Sequence, residues 1–303
     1  MPSVETANAI LKALDALGVT HVLYCPGSRS APFAHALEAG SFGADARAVL
    51  DERGAGFAAV GLARAGALPA IVVTSGTAVA ELAPAVLEAS HAQLPLILLT
   101  ADRPGELRGV GASQATVQSG FFGVHVRASV DLEPQEASPS LVGHLSRAVA
   151  AACGAPSAAP GPVQINVAFR DPLTPNVPAV GGDEAAPASS PRPTRVLPAA
   201  AVPSLWEDVV GLADAGLIIA GESASAHAQE WSKASGFPLL AEPASGAWSG
   251  GGVTPFQQSV VSSALGRDVD TVVVTGRPTL SRPIQVLLAR PDVRVVVVDP
   301  HAP

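Results

Sequence analysis

Short, nearly unbroken apolar runs, each followed by a stretch of helical spacing, limit this chain to very few architectures. Val4, Ala7, Leu11 and Leu14 recur at i, i+3, i+7 and i+10, which predicts an amphipathic helix over 4–17. THVLYC then reads as a strand, and the alternation continues with a helix near 31–39, the strand ARAVL, a helix over 52–65, the strand PAIVVT, a helix over 77–89 and the strand LPLILLTA. A helix near 141–153 and the strand VQINVA close the pattern. Strands that are apolar on both faces need cover on both faces, so the expected fold class is α/β, a doubly wound parallel sheet.

Between Pro172 and Pro198 lie seven prolines, with Gly181-Gly182 and Ser189-Ser190 among them. That composition cannot sustain regular elements and predicts an interdomain linker over 176–203, after a first domain of 1–175. A second α/β pattern occupies 204–303: the strand AGLIIAG, a helix around 224–233, the strand FPLLAE, a helix around 256–265, and the strands DTVVVTG and VRVVVVDP. With no helix after its last strand, this second domain is expected to be incomplete.

Charge removes several classes of function. The formal net charge is −8 and lysine is nearly absent, so no electrostatic footprint for nucleic acid or an anionic membrane is present. No apolar run approaches the ~18 to 20 residues that cross a bilayer. The N-terminus, with Glu5 inside a helical pattern, does not read as a secretory signal, and the expected compartment is the cytoplasm. Cys25 and Cys153, each in or beside an apolar run, read as reduced buried thiols, and the histidines show no metal-ligand spacing.

In open parallel sheets, ligands bind beyond the carboxyl ends of the strands. The conspicuous polar residues of the first domain fall there: GSRS (Gly27 to Ser30), DER (Asp51 to Arg53), SGTA (Ser75 to Ala78), DRP (Asp102 to Pro104) and GASQATVQSG (Gly111 to Gly120). For GSRS the plain reading is a turn with Ser30 as N-cap and Pro32 in the first helical turn. A cap does not require Arg29. A guanidinium beside a helix N-terminus adds to an anion site, and Arg103 on the same edge gives a second group suited to a carboxylate. Glu52 has an ordinary role as an acidic residue in a first helical turn, yet it too follows a strand on this edge. SGTA on its own is a common turn with capping hydroxyls.

No G-x-G-x-x-G, P-loop or G-x-S-x-G elbow stands at any strand-to-helix junction. The combination of CPGSRSAP, DERGAGFAAVGLARA, VTSGTAVAELAPAVLEA, LPLILLTADRPGELRGVGASQ and GRPTLSRP, in this order, resembles the 2-succinyl-5-enolpyruvyl-6-hydroxy-3-cyclohexene-1-carboxylate synthase family of thiamine diphosphate enzymes. The match runs through about residue 172 and continues more thinly over 212–303.

The resemblance implies a pyrimidine-binding first domain, a central second domain, and a third domain that holds the cofactor diphosphate through Mg²⁺ or Mn²⁺. The Gly-Asp-Gly segment of that third domain is absent here, so the chain reads as the N-terminal part of such a synthase, inactive alone. The family's reaction is decarboxylation of 2-oxoglutarate and addition of the resulting unit to isochorismate in menaquinone biosynthesis. It implies that Glu52 hydrogen-bonds N1′ of the aminopyrimidine, that Gly76, Thr77 and Gln114 contact the cofactor, and that Ser28, Arg29, Ser30, Arg103, Ser113 and Gln114 line the substrate site. It also implies a homodimer or homotetramer.

One position departs from the family pattern: Ser113 stands where asparagine is common, replacing a carboxamide by a shorter hydroxyl. Two other readings use the same residues. An acetolactate-synthase-like enzyme would keep Glu52 without the two-arginine pocket, and a noncatalytic anion-binding scaffold would use the arginines alone.

Overall fold

The computed structural model describes residues 2–40, 42–43, 45–134, 138–174, 192–199, 206, 210, 213, 215–248 and 252–298. The chain divides into two compact units, Met1–Ala199 and Ala200–Pro303. Of the predicted linker only 192–199 is described, and those residues hold no helix or strand and belong to the first unit.

The first unit runs α1 (Pro2–Ala16), β1 (His21–Tyr24), α2 (Ala31–Glu38), β2 (Asp45–Ala48), α3 (Glu52–Arg64), β3 (Pro69–Val73), α4 (Thr77–Glu81), α5 (Ala83–His91), β4 (Leu96–Asp102), β5 (Ala128–Leu132), α6 (Pro139–Ala152) and β6 (Pro162–Ala168). Its six strands are all parallel, in the order β2-β1-β3-β4-β6-β5. Successive strand residues go to opposite faces. Val22, Val72, Ile97, Leu99 and Ile165 join Ile10, Leu14, Phe33, Leu141 and Leu145 in one core. Leu23, Ile71, Val73, Leu96 and Leu98 join Ala59, Val60, Val79, Leu82 and Val86 in the other. This two-sided demand is why β3, β4 and β6 are buried at every residue and read as continuous apolar runs.

Two expectations change here. The helix expected over 77–89 is interrupted at Leu82, because Pro84 has no N–H to donate to Ala80 and its ring crowds that carbonyl. The strand β5 was not anticipated. It lies on the sheet edge and alternates between half-buried or buried residues and solvent-facing ones, so ASVDL carries no unbroken apolar run.

The second unit contains β7 (Gly216–Ala220), α7 (Ala228–Ser235), β8 (Leu239–Ala241), α8 (Gln257–Ser262), α9 (Ala264–Arg267), β9 (Thr271–Thr275), α10 (Arg282–Leu288) and β10 (Arg294–Val298). Its parallel sheet has the order β10-β9-β7-β8. Leu217, Ile219, Val272 and Val274 meet Val261, Ile284 and Leu287 on one face, while Ile218, Leu239 and Val273 meet Ala228 on the other. The helix expected over 256–265 breaks at Ser263, whose hydroxyl accepts from the Leu265 amide at 3.2 Å and starts α9. The short helix α10, with Pro283 in its first turn, went unpredicted between its flanking strands. Among the described residues no helix is long and apolar enough to cross a membrane.

Leu98 lies in the interior of the sheet with no exposed surface. Leu98→Ala should cost about 2–5 kcal/mol, read as a lower denaturation midpoint with an unchanged slope; a cost below ~1 kcal/mol would mean the site collapses around the missing atoms.

Candidate active site

The chain order of the strands reverses beside β1, with β2 on one side and β3 on the other, and a crevice opens at the carboxyl ends of such a pair. The backbone is close there. A Cβ on Gly27 would overlap the Thr74 side chain, so the turn after β1 can lie against the end of β3 only as glycine. Thr74 Oγ1 then accepts from the Arg29 amide at 3.3 Å.

Arg29 is held from three directions. Its Nη1 donates to the Phe169 carbonyl at 2.9 Å and lies 3.9 Å from Asp171 Oδ1, and 11% of its side chain is exposed. Burial pulls its pKa below the ordinary guanidinium value, Asp171 pushes it back, and the charge of Arg103 pulls it down again. The two guanidinium groups are therefore near enough for each charge to act on the other, with Asp171 and Asp102 offsetting the repulsion.

The neighbouring serines differ. Ser28 is exposed on the turn, whereas Ser30 is wholly buried. Ser30 occupies the position before α2, but its hydroxyl does not cap the helix: it donates within the turn, with the Gly27 carbonyl at 3.1 Å and the Cys25 carbonyl at 3.2 Å. Its contribution is to the shape of the Arg29 turn, which corrects the expectation of a capping side chain.

Glu52 is the first residue of α3, half-buried, directly after Asp51, whose carboxylate accepts from the Gly54 amide at 2.8 Å. Cys25 at the end of β1 senses it. Burial first, then the charges of Glu52 and Asp51, push that thiol from 9.0 up to about 12, so it stays a neutral S–H. Both cysteines are free, and Cys153 is half-buried where full burial was expected.

The remaining residues form a single contact set. Gly76 sits at φ 89°, ψ −137°, and a Cβ there would stand 3.0 Å from both Cγ and the carbonyl oxygen of Gln114. The Gln114 side chain donates through Nε2 to the Ser75 carbonyl at 3.1 Å, and its own backbone is left-handed at φ 52°. Arg103 donates from Nη1 to Ser75 Oγ at 2.6 Å and to the Gln114 carbonyl at 2.7 Å. Thr77, Ser113 and Gln114 are exposed. The turn after β3 and the segment after β4 thus form one wall of the edge, with Arg103 tying them together.

Beneath that wall runs a polar network that sequence reading left unassigned. Asn166 donates to Asp102 Oδ2 at 2.9 Å and Asp131 Oδ1 at 2.8 Å, and accepts from Thr100 at 2.9 Å and Gln118 at 3.1 Å. Arg108 closes it, 3.2 Å from Asp102 and 2.8 Å from Asp131. Burial pushes Asp131 up, but the hydrogen bonds from Arg108 and Asn166 and the Arg108 charge outweigh it, and the carboxyl stays below its ordinary 3.8. The available signal was the polar Gln164 and Asn166 inside an otherwise apolar strand.

Chemically, the edge offers one half-exposed carboxylate, two cations and open backbone turns, a set able to bind an anion and to exchange a proton at Glu52. Among the described residues no group of three or more His, Cys, Asp or Glu side chains could hold a metal ion.

Residues 4–121 match the family described as "Thiamine pyrophosphate enzyme, N-terminal TPP binding domain". Curated relatives carrying the name 2-succinyl-5-enolpyruvyl-6-hydroxy-3-cyclohexene-1-carboxylate synthase align along nearly the whole chain. The protein from Kineococcus radiotolerans is 45% identical over 98% of this chain and 55% of its own length. Those from Arthrobacter sp. strain FB24 and Renibacterium salmoninarum are 43% and 41% identical over 99% and 96% of this chain and 50% and 51% of their own lengths. The chain spans about half the length of the curated relatives it matches.

A thiol whose folded pKa is raised from 9.0 to about 12 adds stability below the lower value that is lost as the pH climbs between the two, because the unfolded chain releases its proton first. Stability measured by denaturation should therefore fall more steeply above pH ~9 in the native protein than in Cys25→Ala, by up to ~1.4 kcal/mol per pH unit. Equal slopes would place Cys25 outside the field of Glu52 and the core.

Proposed function

We propose that the chain belongs to the 2-succinyl-5-enolpyruvyl-6-hydroxy-3-cyclohexene-1-carboxylate synthase family, and that its first unit supplies the pyrimidine side of a thiamine diphosphate site and the carboxylate-binding side of the substrate pocket. The observation that carries this reading is the placement of Glu52 at the start of α3 on the same carboxyl edge as Arg29 and Arg103. The cofactor suits the edge: Gly76 lets the turn after β3 pack directly against Gln114, and the Glu52 carboxylate stands half-exposed at the start of α3.

When bound, thiamine diphosphate supplies the electron sink for decarboxylation of a 2-oxo acid. Glu52 would hold the hydrogen bond to the aminopyrimidine N1′ and set its protonation. Gly76, Thr77 and Gln114 would contact the cofactor. Arg29 and Arg103 hold the carboxylates of 2-oxoglutarate and isochorismate, both anionic at neutral pH, in paired hydrogen bonds. Ser28 and Ser113 face the same edge, and Ser30 fixes the turn that carries Arg29. No residue of this chain is assigned to Mg²⁺ or Mn²⁺. The active protein is a cytoplasmic homodimer or homotetramer that feeds menaquinone biosynthesis, with the diphosphate held by a further domain.

In the protein extended to the full length of its relatives, Glu52→Gln should lower cofactor-dependent turnover by ~10² or more, the scale of a lost acid–base function, with the melting temperature little changed. Turnover retained by the folded variant would remove Glu52 from the mechanism.

A further inference from the structure

Gln118 is the only residue of the segment 111–120 that is buried, at 1% exposure, while its neighbours are exposed or half-buried. Nothing local requires a buried carboxamide in an exposed segment, and a buried amide is costly unless each polar atom is met. Here each is met, in two directions. Its Oε1 accepts from the Gly76 amide at 2.9 Å. Its Nε2 donates to the Ala101 carbonyl at 3.1 Å and to Asn166 Oδ1 at 3.1 Å, and its backbone carbonyl accepts from Gln164 at 2.7 Å.

The side chain therefore spans from the polar network of β4 and β6 to the turn that starts α4. Gly76 is the position at which that turn adopts a glycine-only conformation, against Gln114 four residues before Gln118. We infer that Gln118 is a positioning residue, locking the Ser75–Thr77 turn and the 111–120 segment into one wall so that Gly76, Thr77 and Gln114 present a fixed surface to the ligand. At 1% exposure it has almost no surface to offer a ligand. The ligand part of this inference rests on the function proposed above; the locking part does not.

The test pairs two variants of similar cost. Gln118→Met keeps the length of the side chain and removes the amide. Thr100→Val removes hydrogen bonds to Asn166 and Gln164 from the same network and leaves Gly76 untouched. Native-state hydrogen exchange should show the Gly76 amide exchanging about tenfold or more faster in Gln118→Met and within about twofold of the native rate in Thr100→Val. Titration with thiamine diphosphate and Mg²⁺, on the full-length protein, should show the dissociation constant raised about tenfold in the first variant and unchanged in the second.

Equal effects of the two variants on Gly76 would reduce Gln118 to general support and overturn the inference. So would altered exchange without altered cofactor affinity. If the native full-length protein does not bind thiamine diphosphate, the proposed function fails, and the exchange data still decide the locking. Should Gln118→Met not fold, the native protein suffices: the amides of Gly76 and of Phe121, which donates to the Gln118 carbonyl at 3.0 Å, should exchange through one opening with matching denaturant dependence. Gly76 exchanging with the sheet core while Phe121 opens freely would contradict the lock.

Discussion

The parallel pairing of β1 with β3, Val22 beside Ala70 and Leu23 beside Ile71, decides where everything else in the first unit can go. It places two strand ends side by side at the point where strand order reverses, and the two turns leaving them have to share one small space. Gly27 and Thr74 fill that space; Arg29 and Thr77 are what the turns then carry at the rim. Since β3, β4 and β6 are sealed on both faces, the rim is the place where charged groups of the central strands can remain hydrated and still be held rigidly. Glu52, Arg29 and Arg103 all stand on it.

The interior beneath the rim departs from an apolar core in one region. Asp102, Asn166, Gln164, Thr100 and Gln118 form a connected set in which an apolar replacement would avoid desolvating a carboxylate. Such a network does not maximise stability, but it fixes the direction of the chain: it pins the segment after β4 from below while Arg103 pins it from above to Ser75 and Gln114. An exposed segment is thereby held at a set distance from the Gly76 turn.

Fold class and the placement of the polar residues at the carboxyl ends of the strands were legible in the sequence because both follow from two-sided burial: LPLILLTA and PAIVVT can only be interior parallel strands, and residues after such strands fall on the rim. β5 was not legible, since an edge strand with one solvated face leaves only the weak alternation of ASVDL. The interruption at Leu82 was readable from Pro84 and shows local chemistry overriding a helical period. Of the site residues, Arg29, Arg103 and Glu52 stood out as charges at strand ends. Gln118 and Arg108 did not, as their roles arise from contacts across 42 residues of sequence to Gly76 and 23 to Asp131, which no local pattern encodes.

Arg29, Arg103 and Glu52 on this rim are proposed to serve a thiamine-dependent reaction of anionic partners. The most direct test is product formation by the full-length protein with thiamine diphosphate and Mg²⁺, comparing isochorismate plus 2-oxoglutarate with pyruvate as the sole 2-oxo acid. The account predicts consumption of isochorismate with release of CO₂ from 2-oxoglutarate, and little reaction with pyruvate. A folded, cofactor-bound protein that turned over pyruvate and left isochorismate intact would contradict it.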